Sequence, residues 1–301
     1  MGDSDSTRSV AIRRLVAGGA LVLVLLAVAS AIGLFGGGGT EGAGEGKAAR
    51  AGSGAVSAAS AAAPKPNTGP YRGSVPILMY HVVKAPGPGV AYPELWTAPE
   101  TFRETISLLA SKGYKGVTIA QVWKAWRGGP GLPSKPIVVS FDDGYLSHFA
   151  TARPILRSVG WPGVLNLEGK NIGSGGLTVP QVKGLIALGW ELGAHSMTHP
   201  DLPTVSDAQL REEVAGSRAL LRKLFRVPVE TFCYPAGKND QRVQRAVREA
   251  GYLNATTVEP GVASPQDNPF ALPRIRVNGT DSAPAVLQRV QTGDGLAGSY
   301  G

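Results

Sequence analysis

Two adjacent carboxylates, Asp142 and Asp143, come at the end of an apolar run, residues 137–141, that has the length and composition of a buried strand. Because side chains alternate along a strand, we expect the two carboxylates to leave it in different directions and not to act as one bidentate group. Gly144 lets the backbone turn directly after them. Asp and Gly are also ordinary turn residues, so a surface turn remains an alternative at this point.

A second group of candidate residues is the histidine pair of His195-Ser196-Met197-Thr198-His199, which follows an apparent strand at 190–194. Imidazoles four residues apart meet on one face if the segment takes a helical turn. Alone, a pair at this spacing is more often structural or exposed than metal-binding. Asp143 is the natural candidate for a third ligand at another strand end. Two imidazoles and one carboxylate are a known ligand set for catalytic zinc, with one position left for water.

The elements that must position these residues alternate between strands and helices from about Val75 onwards. The apolar patterns predict strands at 75–80, 114–119, 136–141, 163–167, 190–194, 229–234, 253–257 and 274–277, and helices at 99–112, 119–127, 148–159, 179–188, 206–225 and 240–250. This alternation indicates a parallel sheet, open or closed, and about seven such units favour closure into a barrel. In folds built on parallel strands, chemistry collects at the carboxyl ends of the strands.

The N-terminal region predicts a membrane or export segment. Residues 1–14 are polar, and the apolar residues 15–35 are numerous enough to span a bilayer as a helix. Arginines before the apolar run would keep the first residues, a short tail, in the cytoplasm. Ala27-Val28-Ala29 resembles a signal-peptidase site, so residues 15–35 are either a transmembrane anchor or a cleaved signal peptide. Both alternatives put the remaining chain outside the cytoplasm, at the cell membrane or secreted.

The segment 36–72 is rich in Gly, Ala, Ser and Pro, a composition that predicts a disordered linker, and it leaves residues 73–301 for the folded domain. The formal net charge of the 301 residues is +8, but no block of five or six basic residues occurs, which argues against a nucleic-acid partner. Cys233 is the one cysteine, so the chain forms no disulfide within itself.

The two candidate motifs, Ser140-Phe141-Asp142-Asp143-Gly144 and His195-Ser196-Met197-Thr198-His199, resemble the first two motifs of the polysaccharide deacetylases. These are the NodB homology domain enzymes, grouped as carbohydrate esterase family 4. The resemblance covers about residues 75–280, and the paired motifs are specific in this order and separation. It implies a distorted (β/α) barrel and hydrolysis of an N-acetyl, less often O-acetyl, group on a sugar polymer.

The resemblance also assigns roles to individual residues. Asp143, His195 and His199 would hold a divalent metal ion, with zinc as the default. Asp142 would be the general base that takes a proton from the metal-bound water.

The third motif departs from the common family pattern. The usual Arg-x-Pro-Tyr stretch is replaced by Cys233-Tyr234-Pro235-Ala236-Gly237, a form that resembles the branch of exopolysaccharide poly-N-acetylglucosamine deacetylases. In the family a backbone N–H just after this proline helps to hold the oxyanion, and here that donor would be Ala236. Arg274 would replace the missing arginine that steadies the base. We expect Cys233 to have a packing role.

The general acid also departs from the pattern, because no histidine follows His199 to form the family's C-terminal Leu-x-His motif. In the exopolysaccharide branch an early strand supplies the acid, and His81 is its counterpart here. The remaining histidine, His148, is expected on a helix surface.

The resemblance thus implies a metal-dependent hydrolase that removes N-acetyl groups from an extracellular polysaccharide containing N-acetylglucosamine. Rival activities are deacetylation of peptidoglycan or chitin oligomers and acetylxylan esterase activity, but the missing arginine and C-terminal histidine point away from those branches. An inactive glycan-binding module is a further alternative. A complete Asp-Asp-His-His set argues against it, because a binder needs neither a base nor three metal ligands.

Overall fold

The computed structural model describes residues 69–173 and 175–294, where strands and helices alternate along the chain. The strands are β1 (Ile77–Tyr80), β2 (Lys115–Gly116), β3 (Pro136–Asp143), β4 (Val164–Leu167), β5 (Glu191–Ala194), β6 (Thr231–Cys233), β7 (Asn254–Pro260) and β8 (Leu272–Arg276). The helices are α1 (Pro99–Ser111), α2 (Ile119–Trp126), α3 (Arg153–Ser158), α4 (Val179–Ala187), α5 (Asp207–Arg211), α6 (Ser217–Phe225), α7 (Gln241–Glu249) and α8 (Ala283–Thr292). One π-helical segment, His148–Ala152, precedes α3, and another, Glu212–Gly216, joins α5 to α6.

Seven of the strands close into a barrel, and all pairings between strands are parallel. Closure depends on β1, which pairs with β3 on one side and with β8 on the other. The short strand β2 pairs only with the first residues of β3. The predicted (β/α) barrel of about seven parallel strands is therefore confirmed.

The two faces of the strands pack in different ways. Leu78, Val139 and Leu165 belong to a large apolar cluster that includes residues of most helices. Their strand neighbours Ile77 and Val138 belong to a second cluster, which contains the buried face of α2. Since side chains alternate along each strand, one face packs against most of the helices, and the other faces the barrel interior and packs with α2. The barrel-facing side chains near the carboxyl strand ends are the ones free to form a site.

Four elements differ from the sequence prediction. The predicted strand 114–119 is reduced to the two residues of β2, and the helices predicted at 148–159 and 206–225 each contain a π segment. Helix α8 was not predicted, although Ser282 caps it by accepting a hydrogen bond from the Ala285 N–H.

The N-terminal predictions lie outside the described residues. This applies to the cytoplasmic tail at 1–14, the anchor or signal peptide at 15–35 and all but the last four residues of the linker at 36–72. Among the described residues, no helix combines the length and the apolar character that crossing a membrane requires.

Candidate active site

The carboxyl ends of the barrel strands surround a cavity of about 470 Å³. Six residues singled out from the sequence line this cavity: His81, Asp142, Asp143, His195, His199 and Ala236. The seventh, Arg274, is 1% exposed and reaches the Asp142 carboxylate from within β8. The structure thus brings together side chains that are widely separated in the chain.

Asp143 faces both imidazoles of the histidine pair. Its Oδ1 atom lies 3.2 Å from Nε2 of His195 and 3.8 Å from Nε2 of His199. Ligand atoms around a tetrahedral zinc ion lie roughly 3.4 Å apart, given bond lengths of about 2.1 Å. The three residues therefore fit a divalent metal ion both in chemical type and in spacing. His199 is the most exposed of them, so the group opens towards the cavity.

The electrostatics of this group favour a positive charge. Burial opposes ionisation of Asp143, but hydrogen bonding and charge from His195 outweigh burial and lower the Asp143 pKa to about 2. Burial also opposes the charged form of His195 and by itself would lower its pKa. The effects of Cys233 and Asp143 are larger and raise the His195 pKa well above its ordinary value. A proton is thus held at the place where a metal ion would sit.

Backbone conformation, and not a helical turn, brings the two imidazoles together. Ser196 and His199 both have left-handed backbones, with φ of 62° and 59°, in a segment without helix. The His195 Nδ1 atom donates to the Cys233 carbonyl over 2.8 Å, which leaves Nε2 to face Asp143. The helical turn that would also have brought the imidazoles together is therefore not the arrangement found here. The imidazole rings still lie 4.9 Å apart between centroids.

The turn after β3 directs the two carboxylates apart. Asp143 is left-handed, with φ of 75°, and Gly144 follows with φ of 93°. A Cβ atom on Gly144 would collide with the side chain of Leu167, so the tight turn needs glycine here. Because of this turn, Asp143 faces the histidines while Asp142 stays among barrel-facing side chains.

Asp142 is held by a dense set of donors. Arg274 Nη1 donates to Oδ1 over 2.9 Å, and Arg274 Nη2 donates to Oδ2 over 2.8 Å. Asn166 Nδ2 also donates to Oδ1, over 2.8 Å. Burial would raise the Asp142 pKa, but the Arg274 guanidinium outweighs it and holds the pKa well below its usual range. The carboxylate is therefore ionised throughout the neutral range.

Asn166 reaches Asp142 because its neighbour in β5 is a glycine. Asn166 pairs in register with Gly193, and a Cβ atom there would lie 2.6 Å from the Asn166 Oδ1 atom. Because Gly193 has no side chain, the side-chain amide of Asn166 fits beside it. Sequence reasoning missed Asn166. A polar residue within the predicted strand 163–167 was the signal that could have found it.

His81 follows β1 and lies beside the same carboxylate, with Nε2 3.9 Å from Asp142 Oδ2. Burial lowers the His81 pKa, and the charges of Asp142 and Asp143 act in the opposite direction. The His81 carbonyl contacts Nε2 of His148 over 2.6 Å.

His148 is fully buried, so its expected position on a helix surface is wrong. The reason is helical spacing, because His148 lies on the same face as the buried Ala152 and Ile155 and packs against Phe141. Burial lowers the His148 pKa to about 4 and keeps the imidazole neutral.

A second group with metal-ligand chemistry shares His195 and consists of Asp142, His195 and Cys233. Its two other ligand atoms already contact one guanidinium, since Arg274 Nη2 lies 2.8 Å from Asp142 Oδ2 and 3.2 Å from Cys233 Sγ. A cation there would be repelled by Arg274, and all three residues are buried. The group of Asp143, His195 and His199 is therefore the better metal site.

The cavity rim contains further polar residues that sequence reasoning missed. Glu168, Lys170 and Asn171 follow β4, and Asn171 Nδ2 donates both to the Asp143 carbonyl over 3.0 Å and to Glu168 Oε2 over 2.7 Å. Lys238, two residues after Ala236, also lines the cavity. No pattern in the sequence distinguishes these residues from ordinary loop residues.

Comparison with known proteins connects this site with deacetylases. The family described as polysaccharide deacetylase matches residues 130–255. That range contains both motifs but neither His81 nor Arg274. The Bacillus subtilis (strain 168) protein YxkH, whose name assigns it provisionally to the polysaccharide deacetylases, is 28% identical over 205 residues, 68% of this chain and 71% of its own length.

A shorter match has higher identity. The Escherichia coli (strain K12) poly-beta-1,6-N-acetyl-D-glucosamine N-deacetylase is 47% identical over 62 residues, which are 21% of this chain and 9% of that enzyme. Among solved structures, the Streptococcus pyogenes deacetylase PplD in complex with acetate superposes with a TM-score of 0.67 at 24% identity. That match covers 72% of this chain and 98% of the other. At 24% identity, this similarity shows a shared fold only.

Proposed function

We propose that this chain, which belongs to the polysaccharide deacetylase family and is a deacetylase hydrolase, uses a divalent metal ion to remove N-acetyl groups from an extracellular polysaccharide containing N-acetylglucosamine. The observation that carries the proposal is that the two adjacent carboxylates have different partners. Asp143 faces two imidazoles at the cavity, whereas both oxygens of Asp142 accept hydrogen bonds from Arg274. One carboxylate is thus suited to a metal and the other to a proton.

The metal site of the proposal consists of Asp143, His195 and His199, with Zn²⁺ as the expected ion. A bound divalent ion supplies two effects, a lowered pKa of water and a polarised acetyl carbonyl. The chain's own contribution is orientation, because the Cys233 carbonyl fixes the His195 ring and the turn at Gly144 fixes Asp143.

Asp142 is the proposed general base. Arg274 keeps it ionised, so it is in the form that accepts a proton from the attacking water. The same guanidinium fixes both carboxylate oxygens, and Asn166 holds one of them from β4. Orientation is therefore determined by side chains outside the cavity.

His81 is the proposed general acid, which donates its proton to the leaving amine nitrogen. It lines the cavity beside Asp142 Oδ2. Burial lowers the His81 pKa below its ordinary value, although the ionised carboxylates oppose this effect, so the protonated imidazole would release its proton readily. The backbone N–H of Ala236 is the proposed oxyanion donor. Ala236 lines the cavity with a left-handed backbone, φ of 49°, in the turn Pro235–Gly237 after β6.

The proposed substrate class is supported by the Escherichia coli relative, whose name states an N-deacetylase of poly-beta-1,6-N-acetyl-D-glucosamine. The motif departures at Ala236, Arg274 and His81 point in the same direction. Peptidoglycan or chitin oligomers, acetylated xylan, and glycan binding without turnover are the alternatives that the test must separate.

The proposed location is outside the cytoplasm, either at the cell membrane through residues 15–35 or secreted after their removal. Support comes from the apolar sequence of that segment and from the polymeric substrate, which lies outside the cell. The glycine- and alanine-rich segment 36–72 would then act as a tether.

The test is acetate release from a panel of acetylated glycans: poly-β-1,6-N-acetylglucosamine, chitin oligomers, peptidoglycan and acetylxylan. The full chain is assayed after chelation and again after addition of one equivalent of Zn²⁺. We expect release from the β-1,6 polymer that is lost on chelation and restored by Zn²⁺. Release from another glycan alone would reassign the substrate, and release unaffected by chelation would contradict the metal. Glycan binding without acetate release would favour the binding module.

A further inference from the structure

We propose that Glu213 is a positioning residue that holds the loop 195–199 in the shape that lets His195 and His199 share one metal ion with Asp143. The inference rests on the proposed metal site. Glu213 lies outside the cavity, in the π-helical segment Glu212–Gly216, and acts on the loop from behind.

The carboxylate of Glu213 is fully engaged with this loop. Its Oε2 atom accepts hydrogen bonds from the backbone N–H groups of Met197 and Thr198, each over 2.8 Å. Its Oε1 atom accepts from the Thr198 hydroxyl over 2.5 Å. Two successive backbone N–H groups directed at one oxygen form a nest for an anion. A buried carboxylate, 3% exposed, thus occupies the nest between the two histidines.

The loop needs such a contact because its conformation is unusual. Ser196 and His199 are both left-handed, a conformation that non-glycine residues rarely adopt without support from their surroundings. Inside the loop, the Ser196 hydroxyl accepts from the His199 N–H over 2.9 Å. Glu213 satisfies the N–H groups of the two residues between these left-handed positions. The two anchors together determine where the His199 ring lies relative to His195.

Helical spacing explains how Glu213 comes to face inward. It lies three residues after the buried Leu210 and four before the buried Ser217, on the inward face of the segment that joins α5 to α6. Glu213 and Val214 are buried here, whereas Glu212 and Ala215 are exposed. Adjacent glutamates thus have opposite environments, and Glu212 is a matched control for Glu213.

The experiment compares Glu213→Gln with Glu212→Gln in the full chain. Zn²⁺ affinity is measured by competition with a chromogenic chelator, and amide hydrogen exchange of residues 195–199 is measured on the metal-free protein. We expect Glu213→Gln to raise the Zn²⁺ dissociation constant about tenfold or more, the effect typical of residues that orient ligands. It should also speed exchange at Met197 and Thr198. Glu212→Gln should match the wild type in both measurements.

Thr198→Val is the milder second variant, since it removes the hydroxyl contact and leaves the backbone contacts in place. We expect a change in the same direction and smaller. A lower melting temperature of Glu213→Gln with unchanged Zn²⁺ affinity would assign Glu213 a structural role only and overturn the inference. Unchanged exchange at Met197 and Thr198 would overturn it as well. A wild-type chain that binds no Zn²⁺ would contradict the proposed function instead. The comparison of hydrogen exchange would still test whether Glu213 stabilises the loop 195–199.

Discussion

Arg274 and Asp142 form a bidentate ion pair inside the barrel, with N–O distances of 2.9 and 2.8 Å, although 132 positions separate them in the chain. The pair joins β8 to the end of β3 and is shielded from water. Because both partners are buried, each would be an uncompensated charge without the other. The ion pair therefore links the stability of the barrel to the orientation of the proposed base.

Replacing Arg274 by Met should destabilise the protein by about 3–5 kcal/mol at pH 7, because Asp142 stays buried without its partner. Arg274 lowers the Asp142 pKa, so its contribution is present above the unfolded-state pKa and is lost as pH falls through the folded-state pKa. In the variant, burial raises that pKa and the carboxyl protonates more readily. The free energy of unfolding, measured with urea, should thus differ between wild type and variant by an amount that decreases from pH 7 to pH 4. Arg245→Met, at an exposed helix position, is the control and should show no such gap.

A double-mutant cycle tests the pair formed by Asn166 and Gly193. Asn166→Ala removes a hydrogen bond to the charged Asp142 and should lower kcat roughly tenfold or more. Gly193→Ala should have a similar effect, because its Cβ atom displaces the Asn166 amide. The double variant should be no worse than Asn166→Ala, since the displaced group is gone. Effects on kcat that simply add would show that Gly193 matters for another reason.

His148 should make the protein sensitive to acid. Burial lowers its pKa from 6.5 to about 4, so the unfolded chain binds a proton between these values and the folded chain does not. Stability therefore falls as pH decreases through this window, by about 2 kcal/mol between pH 7 and pH 4.5. His148→Gln, which keeps a donor for the His81 carbonyl, should lose less stability over the same range in urea unfolding. Equal losses in wild type and variant would contradict the assignment.

The choice between the two ligand groups can be tested by metal binding. Cys233→Ala should leave Zn²⁺ affinity near that of the wild type, because Cys233 contacts Arg274 and not the cavity. His199→Ala should weaken Zn²⁺ binding at least about tenfold, since it removes a ligand. Competition with a chromogenic chelator measures both. The reverse ranking would assign the metal to Asp142, His195 and Cys233.

The sequence predicted most of the barrel because its strands are short apolar runs and its helices carry strong periodic patterns. The candidate residues were also readable, since they follow such runs directly, as His81 follows β1 and Asp142 and Asp143 end β3. Parallel strands bring these ends to one place, so local patterns were enough to predict a shared cavity.

What the sequence did not predict concerns two buried polar residues and the left-handed residues of one loop. His148 and Glu213 lie on the buried faces of their helical segments, four residues before the buried Ala152 and three after the buried Leu210, but polar side chains in helices are mostly exposed, so their burial was not expected. Ser196 has no preference for the left-handed conformation, and histidine, although enriched there, seldom adopts it, so the sequence does not indicate the shape of this loop. The hydrogen bonds from Met197 and Thr198 to Glu213 support that shape.

The central claim is that Asp142 removes a proton while its neighbour Asp143 holds the metal. The most direct test is the rate of acetate release from a β-1,6-linked N-acetylglucosamine oligomer by Asp142→Asn loaded with one equivalent of Zn²⁺. General base catalysis contributes about 10²–10⁴-fold, so we expect the rate to fall by about that factor while one Zn²⁺ per chain stays bound. A Zn²⁺-loaded Asp142→Asn protein that releases acetate at close to the wild-type rate would contradict the account.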